Sequence, residues 1–311
     1  MNKFILTIVC TTYNHERYIR KTLDGFINQK TTYKYKIIVH DDASTDNTKK
    51  IIEEYAKKYP NLIYPIYQRE NQYSQGIKIY KTFIEPLINT KYIASCEGDD
   101  YWNDDNKLEL QLNYLENHNE CSMCVHNTVK ISETGKTLNQ YASDVNIKSR
   151  NIGIKEIIET CGHAPFHTSS YVYRSEKRKN MPEVFSALPI GDYPTAIYMA
   201  TQGTVHYIAK VMSAYRFLAK GSWTEQNLKN LEIGYQISCK MIEGLKNIDK
   251  FTDYKYTKSF QKVITWHEFN NILYKKEYRK LLKLKYIILL IKRLCPSILK
   301  KILKKLINSY K

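Results

Sequence analysis

The sequence predicts an α/β protein: a mostly parallel central sheet flanked by helices, followed by a helical extension at the C-terminus. Three observations carry this expectation. Apolar runs of strand length alternate with segments of helical period over the first 117 or so residues. Polar and acidic residues collect just after those runs, at the carboxyl ends where parallel sheets bind ligands. Beyond Trp223 the pattern turns helical to the end.

The elements follow in order. Phe4–Cys10 is an apolar run of strand length. Glu16–Lys30 places Ile19, Leu23, Phe26 and Ile27 on one helical face, with Asn14 as its expected N-cap. Ile37–His40 is a second strand, and Thr48–Tyr59 a helix stopped by Pro60. Leu62–Tyr67 and Tyr92–Cys96 are the third and fourth strands; Leu108, Leu112 and Leu115 mark the next helix. Strands alternating with helices imply a sheet covered on both faces. After Asn117 the pattern loosens. "CSMCVHN", "TSSYVYR" and "TVHYIAKVMSAYRF" are strand-like, with short helices near Ile154–Thr160 and after Pro194. These breaks divide the chain into 1–117, 118–224 and 225–311.

The composition is that of a folded globular protein, with 43% hydrophobic and 25% charged residues. Formal net charge is +17, but residues 275–311 hold 13 lysines and arginines against the single acid Glu277, leaving only +5 for the rest. The basic character therefore belongs to the C-terminal segment and not to the main ligand site. Seven cysteines, several inside apolar runs, are expected to be reduced and buried, as in a cytosolic protein. Cys121 and Cys124 form one lone CxxC without histidines at ligand spacing, which favours two small strand residues over a zinc site. The first apolar run lacks a cleavage site, and no run is long enough to span a bilayer.

The strand ends carry "TTYNHERY", "HDDASTDNT" and "EGDDYWNDD". Neither GxGxxG nor GxxxxGK[ST] is present, so the usual phosphate cradles are missing. Clustered carboxylates without cysteine or histidine favour a hard divalent cation, Mn2+ or Mg2+, bridging to a diphosphate.

"TIVCTTYNHERYIRKTLDGFINQ", "IIVHDDASTDNT" and "IASCEGDDYWNDDNKLELQ" resemble successive signatures of the inverting, nucleotide-sugar-dependent glycosyltransferases of the bacterial family 2 group, which build cell-surface polysaccharides. "HTSSYVYR", "LPIGDYP" and "YRFLAKGSWT" extend the resemblance over roughly Lys3 to Thr224. It implies the GT-A fold, with a Rossmann-like sheet whose donor half is residues 1–117 and whose acceptor half is 118–224. It implies a UDP-sugar donor, a glycan or lipid-linked acceptor, and inversion at the anomeric carbon.

The resemblance also implies roles. Thr12 and Tyr13 line the base pocket, and Asp42 contacts the nucleobase or ribose. Asp41 is a helper or a helix cap; Ser44, Thr45 and Asp46 cap the following helix. The family's DxD motif is here Glu97-Gly98-Asp99 followed by Asp100, with Glu97 departing from the commoner aspartate. Asp99 contacts ribose or metal, Asp100 coordinates the metal, and Gly98 admits the nucleotide closely. Asp104 and Asp105 start the next helix. Asp192 matches the catalytic base. Arg216, Ser222 and Trp223 close over the diphosphate. His163 and His167 lie on the acceptor side, and Trp102 either floors the sugar pocket or packs in the core.

The tail has its own pattern. Pro296 divides it, and Ile298, Leu299, Ile302, Leu303 and Leu306 fall on one helical side with Lys300, Lys301, Lys304 and Lys305 elsewhere. That suits a helix lying on an anionic membrane surface, which would place the protein on the inner face of the cell membrane. A packed tail with a solvated basic face is the alternative. Nucleic-acid binding is disfavoured, because acidic strand ends repel phosphates. A glycoside hydrolase using Glu97 or Asp99 with Asp192 would leave the first two strand-end blocks unexplained. A metal-dependent nucleotidyltransferase acting on sugar phosphates is the closest alternative; it has no need of Asp192.

Overall fold

The computed structural model describes residues 4–160, 166–179, 181–219, 225, 230–283, 286 and 289. Its strands are β1 (Leu6–Thr12), β2 (Tyr35–Asp41), β3 (Ile63–Tyr67), β4 (Tyr92–Ser95), β5 (Tyr101–Trp102), β6 (Cys121–Ile131), β7 (Thr137–Tyr141), β8 (Arg150–Ile152), β9 (Val172–Arg174) and β10 (Thr204–Arg216). The helices are α1 (Ile19–Ile27), α2 (Thr48–Lys58), α3 (Lys107–Asn117), α4 (Ile154–Ile158), α5 (Ser175–Lys179), α6 (Glu183–Ser186), α7 (Asp192–Gln202), α8 (Leu231–Phe251) and α9 (Thr257–Tyr274).

One sheet runs β3-β2-β1-β4-β9-β6-β10-β5, with β7 beside β6 and β8 beside β10. The expected parallel order holds in the first half, where β3, β2, β1 and β4 all run the same way. It changes at β9, which inserts antiparallel to both β4 and β6. β6 and β10 are again parallel, and β5 closes antiparallel on β10 at Trp102 and Ser213. A three-residue strand leaves too little apolar pattern to announce this insertion.

Strand alternation sorts the core into two layers. Leu6, Ile8 and Cys10 pack with Leu23 and Phe26 of α1, Ile52 of α2 and Leu112 of α3. Val9, Ile93, Met123 and Val125 face the other way, against Ile157 of α4, Ile197 of α7, Leu245 of α8 and Phe260 of α9. The two long C-terminal helices thus share the second core layer with the sheet. Asn230 caps α8, its Oδ1 accepting from Glu232 N (3.0 Å) and Ile233 N (3.2 Å). Cys121 and Cys124 are buried free thiols on β6, in line with the strand assignment. Among the described residues no helix is long and apolar enough to cross a membrane.

Candidate active site

The parallel strands β1, β2 and β4 end on one edge, and the loops leaving them are tied together. Asn14 is not the cap of α1. It takes a left-handed backbone (φ 56°), and its Oδ1 accepts from Thr45 N at 2.8 Å. Its own N–H donates to Ser44 Oγ at 2.9 Å. Asp46 accepts from Thr48 N (2.9 Å) at the start of α2 and from Glu16 N (3.0 Å). Asp41 accepts from the Ser44 hydroxyl.

Asp42 is buried, and its carboxylate accepts from Gln72 N (2.9 Å) and Tyr73 N (3.0 Å), pinning the loop after β3. The expected ribose or base ligand is therefore also the anchor of a loop. Tyr13 exposes its ring at the strand end. Tyr73 is 63% exposed, and its phenol is raised by partial burial and then by the Glu97 charge, so it lies within electrostatic reach of the acidic loop. Sequence reasoning missed Tyr73, one loop tyrosine among 27.

The acidic loop follows β4. Gly98 N donates to Thr11 O at 2.9 Å. A Cβ at Gly98 would lie 2.5 Å from Thr12 Oγ1 and 2.9 Å from His15 Nδ1, so only glycine fits. The Thr22 hydroxyl of α1 supports the loop from below, 2.6 Å from the Asp100 carbonyl and 3.0 Å from that of Gly98. Glu97, Asp99 and Asp100 each bring a carboxylate oxygen to within 4.8 Å of the others.

Such crowding is unfavourable for bare carboxylates. Burial, and then the charges of Asp99 and Asp192, push Glu97 up to about 8; its carboxylate is solvent-accessible yet recessed among protein atoms. Burial, then Asp99 and Glu97, push Asp100 well above the usual carboxylate range. Asp100 Oδ1 accepts from Arg216 N at 2.8 Å, while Oδ2 is buried without a hydrogen-bond partner. An all-oxygen set with one orphaned buried carboxylate oxygen fits a hard divalent cation.

Arg216, expected over the diphosphate, lies beneath the acidic loop instead. It is 4% exposed, and its guanidinium donates to the carbonyls of Asp99 (3.0 Å), Ser132 (3.1 Å) and Glu133 (2.7 Å). It also lies 4.1 Å over the Tyr18 ring. For Trp102 the packing alternative holds. It is 3% exposed, its indole donates to Ser169 O at 2.8 Å, and its ring meets Phe26 edge-on at 4.7 Å, so it packs in the core and cannot floor a sugar pocket. Asp104 precedes α3, accepting from Asn106 N (2.9 Å) and pairing with Lys210.

Sequence reasoning also missed Lys107, whose side chain is fully buried with Nζ 3.9 Å over the Trp102 ring. Nothing in the helical pattern distinguishes it from an exposed first-turn lysine.

The second half contributes two residues. His167 stacks on Tyr215 (4.1 Å), and its Nδ1 accepts from Ser169 N and lies 3.6 Å from Asp100 Oδ2. Burial pushes the imidazole down to about 3, so it is neutral and the contact is not an ion pair. Asp192 is the first residue of α7; its Oδ1 accepts from Tyr193 N at 2.7 Å. Its charge raises both Glu97 and Tyr171, so it lies within electrostatic reach of the acidic loop although at least 92 residues separate it in sequence from Asp100, the nearest of that loop's carboxylates. His163, Ser222 and Trp223 lie outside the described residues, as does most of the basic tail.

Residues 7–177 match the family model described as glycosyl transferase family 2. An uncharacterized protein of Mycobacterium tuberculosis is 34% identical over 221 residues, covering 70% of this chain and 60% of its own length. The chain thus spans about 60% of the length of such curated relatives. TarS 1-349 of S. aureus in complex with UDP-GlcNAc is similar at TM-score 0.58 and 16% identity, over 91% of this chain and 78% of that one. The mannosyltransferase PcManGT from Pyrobaculum calidifontis, in complex with GDP-Man and Mn2+, is similar at TM-score 0.56 and 16% identity, over 94% and 80%. At these identities the likeness concerns the fold.

Proposed function

The chain belongs to glycosyl transferase family 2 and has the GT-A fold, and from that premise we propose that it transfers a sugar from a nucleoside-diphosphate sugar to an acceptor hydroxyl with inversion. The observation that carries the proposal is the cluster of Glu97, Asp99 and Asp100 at the carboxyl end of β4, with Asp192 within electrostatic reach of Glu97. A UDP-sugar is the donor favoured by the TarS complex.

Thr12 and Tyr13 are assigned to the base, and Asp42 to the base or ribose, at the edge where the nucleotide lies. Asp99 and Asp100 would hold Mn2+ or Mg2+, with Glu97 beside them, and a cation there would supply positive charge to offset that of the diphosphate leaving group. Asp192 takes the proton of the acceptor hydroxyl as that oxygen bonds to the anomeric carbon. The bond from that carbon to the diphosphate breaks on the opposite side, which inverts the configuration. His167, held neutral, and His163 are assigned to the acceptor side; Ser222 and Trp223 to closure over the diphosphate. Arg216 serves this site by holding the acidic loop in place.

The acceptor is a glycan or lipid-linked saccharide. Residues 275–311 hold the protein on the anionic inner surface of the cell membrane; absence of flotation with anionic vesicles at low salt would refute this.

Asp192→Asn is the test of mechanism. Transfer is expected to fall about 10²–10⁴-fold while thermal stabilisation by UDP with Mn2+ is kept. Undiminished transfer would exclude Asp192 as the base. Failure of every nucleoside diphosphate to stabilise the wild type would exclude the nucleotide site.

A further inference from the structure

A second concave site lies far along the chain from the acidic loop, where the end of α9 meets the start of α8. Its cavity is about 330 Å³, lined by Tyr235, Asn271, Lys275, Lys280, Lys283 and Tyr286, with Glu277 and Ile272 completing the wall. All of these residues follow the segment 7–177 that matches the family model.

The chemistry of the lining is specific. Three lysines face one acid across the same cavity. Lys280 is held by Glu277 at 2.7 Å, and Lys275 by Glu232 at 3.6 Å and by the Tyr235 ring at 4.1 Å. Lys283 makes no ion pair among the described residues and is exposed. The wall therefore keeps excess positive charge, and two of its ammonium groups are pre-oriented by neighbours. With Lys280 on Glu277 and Lys275 on Glu232, the excess positive charge of the wall rests on Lys283.

Asn271 supplies a second, independent observation. Its Nδ2 donates to Cys239 Sγ at 3.5 Å, which orients the amide, and its Oδ1 is buried without a hydrogen-bond partner. A buried orphan acceptor in the wall of a cavity calls for a donor from whatever fills it. Lysine ammoniums call for an anion, best a phosphate. Gly234 completes the shape, since it lets the Tyr274 ring approach to where a Cβ would lie 3.1 Å away.

We propose that this cavity binds a phosphorylated polyol, with the phosphate on Lys275, Lys280 and Lys283 and a hydroxyl donating to Asn271 Oδ1. A cavity of about 330 Å³ holds a phosphate and a three-carbon polyol but not a whole nucleotide sugar. The polyol phosphate has two sources, the headgroup of an anionic phospholipid or a soluble sugar or glycerol phosphate. The binding does not depend on sugar transfer, so it stands or falls separately from the proposed activity.

The probes are glycerol 3-phosphate and inorganic phosphate, titrated calorimetrically into the full chain. The variants are the double substitution Lys280→Gln/Lys283→Gln and, separately, Asn271→Ala. Both lysines are exposed, so the double variant should melt with the wild type and keep its response to UDP and Mn2+. At roughly five-fold per lysine, glycerol 3-phosphate affinity should fall about 30-fold in the double variant. Asn271→Ala should weaken glycerol 3-phosphate and leave inorganic phosphate unchanged. Release of the protein from phosphatidylglycerol vesicles by excess glycerol 3-phosphate assigns the headgroup as the source; unaltered vesicle binding, with the soluble affinity intact, assigns a soluble ligand. Equal affinity in wild type and double variant, or no heat from either probe, overturns the proposal.

Discussion

Arg216→Ala separates two accounts of this residue. As a phosphate ligand, Arg216 would matter to nucleotide affinity and little to stability. The structure makes it a brace. Truncation removes three charge-assisted hydrogen bonds, to the carbonyls of Asp99, Ser132 and Glu133, and the stacking on Tyr18. The Ser132 carbonyl keeps Gly135 N as a donor at 2.9 Å. The carbonyls of Asp99 and Glu133 lose their donor, at about 1–2 kcal/mol each. Loss of the cation–π contact adds about 1 kcal/mol. The sum is about 3–5 kcal/mol, a large part of a typical folding free energy of roughly 5–15 kcal/mol. For a chain of this size that is a drop in Tm of about 6–15 °C. Arg216→Lys keeps the charge but not the fork, and should recover about half of it. Differential scanning fluorimetry with and without UDP and Mn2+ reads both quantities. A variant that melts within about 1 °C of the wild type yet no longer responds to UDP would refute the brace and restore the phosphate role.

Three further outcomes follow from the same geometry. Glu97 keeps its proton up to about 8 when folded but titrates near the ordinary carboxylate value when unfolded, so the folded state binds more protons in between; below about 7, where Lys107 is still charged, metal-free protein should lose stability as pH rises, and Mn2+ should reverse the loss, as Tm against pH will report. A flat metal-free profile would mean the carboxylates do not crowd. Gly98→Ala should cost about 1–3 kcal/mol in urea unfolding and abolish nucleotide stabilisation, because the new Cβ would lie 2.5 Å from Thr12 Oγ1. Lys107→Met should raise stability by about 1–3 kcal/mol near pH 6.5, since it removes a buried ammonium with no hydrogen-bond partner. Burial lowers Lys107 to about 7, so the variant's advantage over the wild type should shrink as pH rises above 7; a destabilised variant would show that the charge is satisfied inside.

Local pattern alone determined much of this protein. The continuous apolar run Phe4–Cys10 and the 3.6-residue spacing of Ile19, Leu23 and Phe26 announce burial, and Leu6 to Cys10 and those three helical residues are buried. The acidic loop was legible because Glu97, Asp99 and Asp100 crowd together in sequence. Asp192 was singled out only through its flanking motif, as no spacing links it to the acidic loop.

What a residue is buried against is a different question, and only the tertiary structure decided it. Asn14 and Thr45, and Arg216 and Asp99, meet across sequence separations of 31 and 117 residues. Period and propensity report only a few neighbouring positions, so they carry no information on such pairs. The same holds for β9, placed antiparallel between β4 and β6, and for Trp102 and Lys107, whose burial depends on α1 and β10 closing over them. Apolar periodicity selected the surfaces to be covered; chain connectivity and packing chose the partners.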